Sequence, residues 1–272
     1  PWPIASGQSV DDPKNSSFKK LVWEQGNLIK KALEAKGKRL FTIETVYNNK
    51  DIRELVEINA GHPTEVHPIT LQAIEQQQIV EVQGQSDIMI AGIANHTECY
   101  SKFSTINPIL VANQGFANTI MQFQNMPVVR PQGIAILAHP LTPQFDSRPF
   151  RPYQEFYERL LNHSKDPYWL WENHVEDFAH RPEYIQGYRY GYSYHGSHPF
   201  FMWNSTGIAR KYLSNIYFAG VKDREVATRL GFQAFASVEE ALKAAQSELG
   251  KSDPSITLLK KPPHFIPRVS LT

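Results

Sequence analysis

Gly133-Ile134-Ala135-Ile136-Leu137-Ala138 and Asp87-Ile88-Met89-Ile90-Ala91-Gly92-Ile93 are the two stretches whose reading decides the fold. Each is short, β-branched and nearly free of polar residues. A strand with one wet face alternates polar and apolar side chains. A run without alternation belongs to a strand covered on both faces, as in a parallel sheet between helices. Around them the pattern predicts helices over 17–36, 64–77 (with Thr64 as N-cap), 113–121, 153–161, 206–213, 224–230 and 238–249. Strands are predicted over 39–47, 55–58, 215–219, 233–236 and, closing the chain, 256–259. Ser237 with Glu240 forms a capping box, and Gly250 ends that helix. The fold class that follows is α/β: a mostly parallel, Rossmann-like sheet flanked by helices, with a small amino-terminal α+β unit.

The domain reading has residues 1–16 as a linker or tail, 17–62 as the amino-terminal unit and 63–272 as the α/β domain. Residues 147–203 interrupt the alternation with five of the ten histidines and half of the aromatic residues, so an ordered insertion beside a functional surface is expected. The chain has 272 residues, with 28 Lys+Arg against 27 Asp+Glu, which removes the electrostatic case for nucleic acid. One cysteine, Cys99, excludes an intrachain disulfide framework and a cysteine-only metal cage. No apolar run approaches the roughly 18 residues that span a bilayer, and a cytoplasmic protein without membrane partners is expected. The chain opens at Pro1 without Met and reads as a piece of something longer.

Ligands in open α/β sheets bind outside the carboxyl ends of the strands. Two segments stand there. One runs from Asn95 and His96 through Lys102, Phe103 and Ser104 to Asn107; the other runs from His139 through Asp146 to Arg148. Arg148 suits a carboxylate and His139 a proton transfer, although Asp146 and Arg148 pairing with each other is an equal alternative. His62 and His67 are five apart, too splayed for a helical metal pair. His195 and His198 flank Gly196 as secondary candidates, against the alternative of an aromatic wall with polar tips. Phosphate-loop, dinucleotide, nucleophile-elbow and zinc-protease signatures are all absent, and no metal site is assigned in this chain.

Several segments taken in order resemble the carboxyl-terminal half of the nickel-dependent lactate racemase family. They are Ile58-Asn59-Ala60-Gly61-His62 with His67, Ser86 through Gly92, Pro131 through Leu137, and Val238 through Leu242 to Gly250 and Ser255 to Leu259. Asn107-Pro108-Ile109-Leu110-Val111, His139-Pro140-Leu141-Thr142 and His198-Pro199-Phe200-Phe201-Met202-Trp203 look like a divergent branch of it. The resemblance implies a two-domain racemase or epimerase of 2-hydroxy acids. In it a nickel-pincer nucleotide, held mainly by the amino-terminal domain, accepts hydride from the substrate carbon. The carboxyl-terminal portion then closes over the substrate, with the amino-terminal domain of the same protein as its partner. At the family's Tyr-Gln and lysine positions this chain carries Phe103, Ser104 and Asn107, and Trp203 corresponds to a substrate-side tryptophan. The lost cation puts lactate in doubt and suits another 2-hydroxy acid, with Lys102 or Arg148 taking the carboxylate. The alternative is a non-catalytic module that binds a small carboxylic acid.

Overall fold

The computed structural model describes residues 17–48, 51, 54–95, 106–145, 149–260 and 265–271. In chain order the elements are α1 (Ser17–Glu34), β1 (Thr42–Tyr47), β2 (Leu55–Gly61), α2 (Pro63–Gln78), β3 (Ile79–Gln83), β4 (Ser86–Gly92), α3 (Pro108–Gly115) and β5 (Val129–Ala138). Then come α4 (Arg151–Glu155), α5 (Leu161–His163), α6 (Pro167–His180), α7 (Pro182–Tyr190), α8 (His198–Asn204) and α9 (Gly207–Tyr212). The chain finishes with β6 (Asn215–Ala219), α10 (Arg224–Leu230), β7 (Gln233–Phe235), α11 (Val238–Leu249), β8 (Ile256–Leu259) and β9 (Ile266–Ser270). One-turn π segments extend α3 (Phe116–Ile120) and join α4 to α5 (Phe156–Leu160).

The larger of two compact units, residues 85–121 and 128–262, carries the five-stranded sheet in the order β7-β6-β5-β4-β8, with every pair parallel. The two stretches that opened the sequence reading are its adjacent inner strands, and both their faces are covered as expected. Ile88, Ile134, Ile136 and Tyr217 pack with Ala241 and Ala245 of α11 on one face. On the other, Phe116 stacks on Phe218 and meets the edge of Phe232 at 5.0 Å. Gly133 is required where β5 crosses the irregular start of β4: a Cβ there would lie 2.7 Å from the Asp87 carbonyl oxygen. The Asp87 side chain sits at the amino edge of this sheet, 8% exposed. It accepts hydrogen bonds from Arg130 (2.7 Å), Lys251 (2.7 Å) and both the backbone and hydroxyl of Ser255 (3.0 and 3.1 Å). The Lys251 ammonium and then the Arg130 guanidinium hold its carboxyl well below the usual carboxylate range.

Residues 147–203 are largely helical where described. Tyr153, Tyr184, Phe178, Phe200 and Trp203 are almost fully buried, so this stretch builds a core of its own. Gly196 lets the chain pass tightly there, since a Cβ would run into the Phe178 carbonyl. Glu155 takes Arg159 and Arg181 at 2.7 Å each and the Tyr184 hydroxyl, which pins α4 to α6 and α7.

The second unit, residues 1–84, 122–127 and 263–272, contains an antiparallel hairpin of β1 and β2 with a bulge between Val46 and Tyr47. Val66 and Thr70 of α2 are buried, and Asn59 donates to the Thr70 hydroxyl at 3.3 Å, so α2 packs on the hairpin. Three expectations are corrected. The N-cap of α2 is His62, not Thr64, because Pro63 fills the first helical position; the Thr64 hydroxyl bonds the His62 ring at 2.7 Å. The helix expected from Asn113 begins at Pro108, because Asn107 caps it. The strand expected to close the chain, β8, is followed by β9, which pairs in parallel with β3; neither β3 nor β9 is in the sequence reading. No helix among the described residues is long and apolar enough to cross a membrane.

Candidate functional site

All five sheet strands run the same way, so the segments after β4, β5 and β6 share one edge. The Ile93 amide bonds the Ala138 carbonyl and the His139 amide bonds the Ala219 carbonyl, each at 3.0 Å, which continues the ladder into this rim. His96, Lys102, Phe103, Ser104 and Arg148 lie outside the described residues, as do Cys99 and Asp146.

His139 follows β5 directly and is 4% exposed. The Leu141 amide donates to its Nδ1 at 3.0 Å, so the ring proton resides on Nε2. Leu141 adopts a left-handed φ of 46° to make that contact, a conformation that costs a non-glycine residue about 1 kcal/mol. Nε2 is buried and has no hydrogen-bond partner among the described residues. Burial pushes the imidazole pKa down to about 4, so at neutral pH the ring is uncharged. The outcome is a fixed, neutral N–H donor without an acceptor among the described residues.

Asn107 stands at the start of α3, 1% exposed. Its Oδ1 accepts from the amides of Ile109 and Leu110, at 3.1 Å each. That cap fixes the carboxamide and leaves Nδ2 buried without a partner among the described residues. Two buried, unsatisfied donors therefore stand at the carboxyl edge. Each such group costs about 1–3 kcal/mol unless something accepts its proton, and a carboxylate or hydroxyl oxygen is the matching chemistry.

The remaining candidates lie behind this rim. α8 packs on α3 through Asn113, whose Nδ2 donates to the Ser205 hydroxyl at 2.6 Å. Trp203 on α8 is fully buried: its indole donates to the Lys165 carbonyl at 3.2 Å, and the Arg210 guanidinium stacks 4.7 Å from its centroid. His198 Nδ1 is bonded to the Tyr153 hydroxyl at 2.5 Å, and burial, then the neighbouring His195, push its pKa down to about 4. His195 Nδ1 is taken by the Ser197 hydroxyl at 2.8 Å. The two rings therefore have separate partners. No three of His, Cys, Asp and Glu are grouped to hold a metal ion among the described residues. Those residues do not fit the nickel-pincer nucleotide as its holders.

The sequence reading missed a cavity farther along the same edge, beyond β5 and β6, with Tyr157, Asp223 and Arg229 in its wall. The rule that points to the segment after β4 also points to Asp223 after β6, and that signal was available in the sequence.

No protein-family model matches this chain, and no curated protein matches it. Among solved structures, the lactate racemase apoprotein of Thermoanaerobacterium thermosaccharolyticum matches 98% of this chain and 55% of its own, with a TM-score of 0.55 at 16% identity. A crystal structure of a protein from Thermotoga maritima covers 93% of this chain and 53% of its own, with a TM-score of 0.47 at 13% identity. The chain spans about half the length of either. The likeness is one of fold, and this chain is folded like one half of a lactate racemase.

Proposed function

We propose that this chain is the carboxyl-terminal, substrate-closing portion of a cytoplasmic racemase- or epimerase-like enzyme acting on a 2-hydroxy acid. On this reading the nickel-pincer nucleotide is held by an amino-terminal domain outside these residues, and that cofactor supplies the hydride chemistry. Residues 17–62 form the link towards that domain. The observation that carries the reading is the match of nearly the whole chain to half of a lactate racemase. Two features support it. The hairpin exposes Phe41, Ile43, Tyr47, Val56 and Ile58, each more than half exposed, a patch that a further domain would cover. At the sheet edge, His139 Nε2 and Asn107 Nδ2 are donors suited to the oxygens of a hydroxy acid.

In this scheme the chain's own residues bind, orient and exclude water. His139 donates from Nε2 and keeps its proton, because its Nδ1 is already occupied by Leu141. Asn107 fixes an acceptor oxygen without adding charge, so the carboxylate's counter-cation is expected from Lys102 or Arg148. The test is inversion at the substrate carbon, followed by chiral chromatography, with the cofactor-loaded amino-terminal domain supplied and a panel of enantiopure 2-hydroxy acids. Inversion of at least one acid is expected, and none on any of them sinks the proposal.

A second reading, a binding module that has kept the fold without the chemistry, is favoured by one observation. At the family's lysine position, Asn107 spends its oxygen on the α3 cap. Calorimetry separates the two readings: a module binds a small carboxylic acid without cofactor, whereas a closing portion alone binds almost none.

A further inference from the structure

Pro143, Phe145, Tyr157, Glu158, Asp223 and Arg229 line a cavity of about 290 Å³ beyond the carboxyl ends of β5 and β6. The Lys222 amide donates to the Pro140 carbonyl at 2.9 Å, which ties the two strand-following segments together and fixes the mouth. Tyr157 comes from the π turn between α4 and α5 and is 5% exposed. Its ring meets Phe145 at 5.2 Å, and the Arg229 guanidinium lies 5.0 Å from its centroid. Its hydroxyl has no hydrogen bond among the described residues, although it feels the charges of Arg229, Asp223, Glu225 and Glu158. Burial, with those carboxylates, pushes the phenol up to about 12, so it keeps its proton. The ring is buried, and its unpartnered hydroxyl is left to the cavity that Tyr157 lines, where a ligand can use it.

The remaining polar groups say what kind. Asp223 Oδ1 accepts the Glu225 amide at 2.9 Å, Glu158 Oε1 accepts Gln154 at 2.8 Å, and Glu225 Oε1 pairs with Arg229 at 3.2 Å. The second oxygen of each carboxylate has no partner among the described residues. Three carboxylates face one guanidinium, so the wall is rich in acceptors and net negative. Pro143, Phe145 and Val226 provide an apolar floor. We propose that this cavity is a binding site for a small organic ammonium ion. Its N–H groups reach the free carboxylate oxygens and the Tyr157 hydroxyl, and its alkyl part lies on the apolar floor. A 2-hydroxy acid would bring its own negative charge to a negative wall, so this site is separate from the rim holding His139 and Asn107. It stands or falls independently of the racemase reading.

The test is a titration of the intact chain followed by amide NMR, with n-butylamine, n-butanol, xylitol and glycolate as probes at neutral pH. n-Butylamine is expected to give saturable shifts confined to the cavity, binding roughly tenfold or more tightly than n-butanol and weakening as salt rises. Glu158→Gln and Tyr157→Phe are each expected to weaken it roughly threefold to tenfold, with the amide spectrum otherwise unchanged. Equal binding of n-butanol, tighter binding of xylitol or glycolate, or no saturable shift up to about 100 mM would each overturn the proposal.

Discussion

The two edges of the parallel sheet are built on opposite principles. At the amino edge Asp87 is buried, and both of its carboxylate oxygens accept from Arg130, Lys251 or Ser255. At the carboxyl edge His139 and Asn107 are just as buried, and each holds a donor without an acceptor among the described residues. A buried group left unsatisfied calls for an explanation, and a ligand is one. One edge has its charges paired, and the other leaves two donors unpaired among the described residues.

The largest expected effect breaks the finished edge. Asp87→Ala leaves Arg130 and Lys251 without their shared counter-charge and should cost about 3–5 kcal/mol in urea unfolding. A loss below about 1 kcal/mol would show that the network is only surface pairing. Acid separates the edges next. His139 and His198 have pKa values lowered from 6.5 to about 4 when folded. The unfolded chain therefore binds protons that the folded chain does not, and the share of stability held by these two rings, about 3 kcal/mol each, is lost as pH drops from about 6.5 to about 4. The share held by Asp87 is lost below that window, because its carboxyl takes up protons in the unfolded chain only near 3.8 and in the folded chain lower still. In His139→Asn about half of that slope should vanish, with the His198 share remaining; an unchanged slope would refute the neutral-donor assignment. The smallest effect sharpens the comparison. Asn107→Ala removes the α3 cap together with the free donor and should cost about 1 kcal/mol of stability. Asn107→Asp keeps the capping oxygen, so its stability should stay near that of the parent protein while affinity for small carboxylates falls.

Much of the fold was legible because the inner strands announce double burial: 87–93 and 133–138 contain almost nothing polar. The capping box was legible too, since Ser237 accepts from the Glu240 amide and Glu240 reaches back to the Ala236 amide. β3 and β9 were not. Ile79 follows α2 with no turn residue between, and β9 contains Pro267 and Arg268, so neither reads as a strand until its distant partner is known. α3 was misplaced because every residue from Pro108 to Asn113 is buried, which erases the helical period. The site was legible only as an address. The rule about strand ends located Asn107 and His139, but which of their nitrogens lacks a partner is decided by cap and turn geometry that no spacing encodes.

The pairing of β3 with β9 has a practical corollary. Between those two strands the chain leaves the smaller unit, returns to it at 122–127 and comes back again only at its last ten residues. Neither unit can be obtained as one uninterrupted segment, so trimming the carboxyl terminus is not a route to a cleaner sheet domain. A stop placed ahead of Ile266 would spare all five strands of the large sheet yet strip β3 of its neighbour, exposing a bare edge to aggregation.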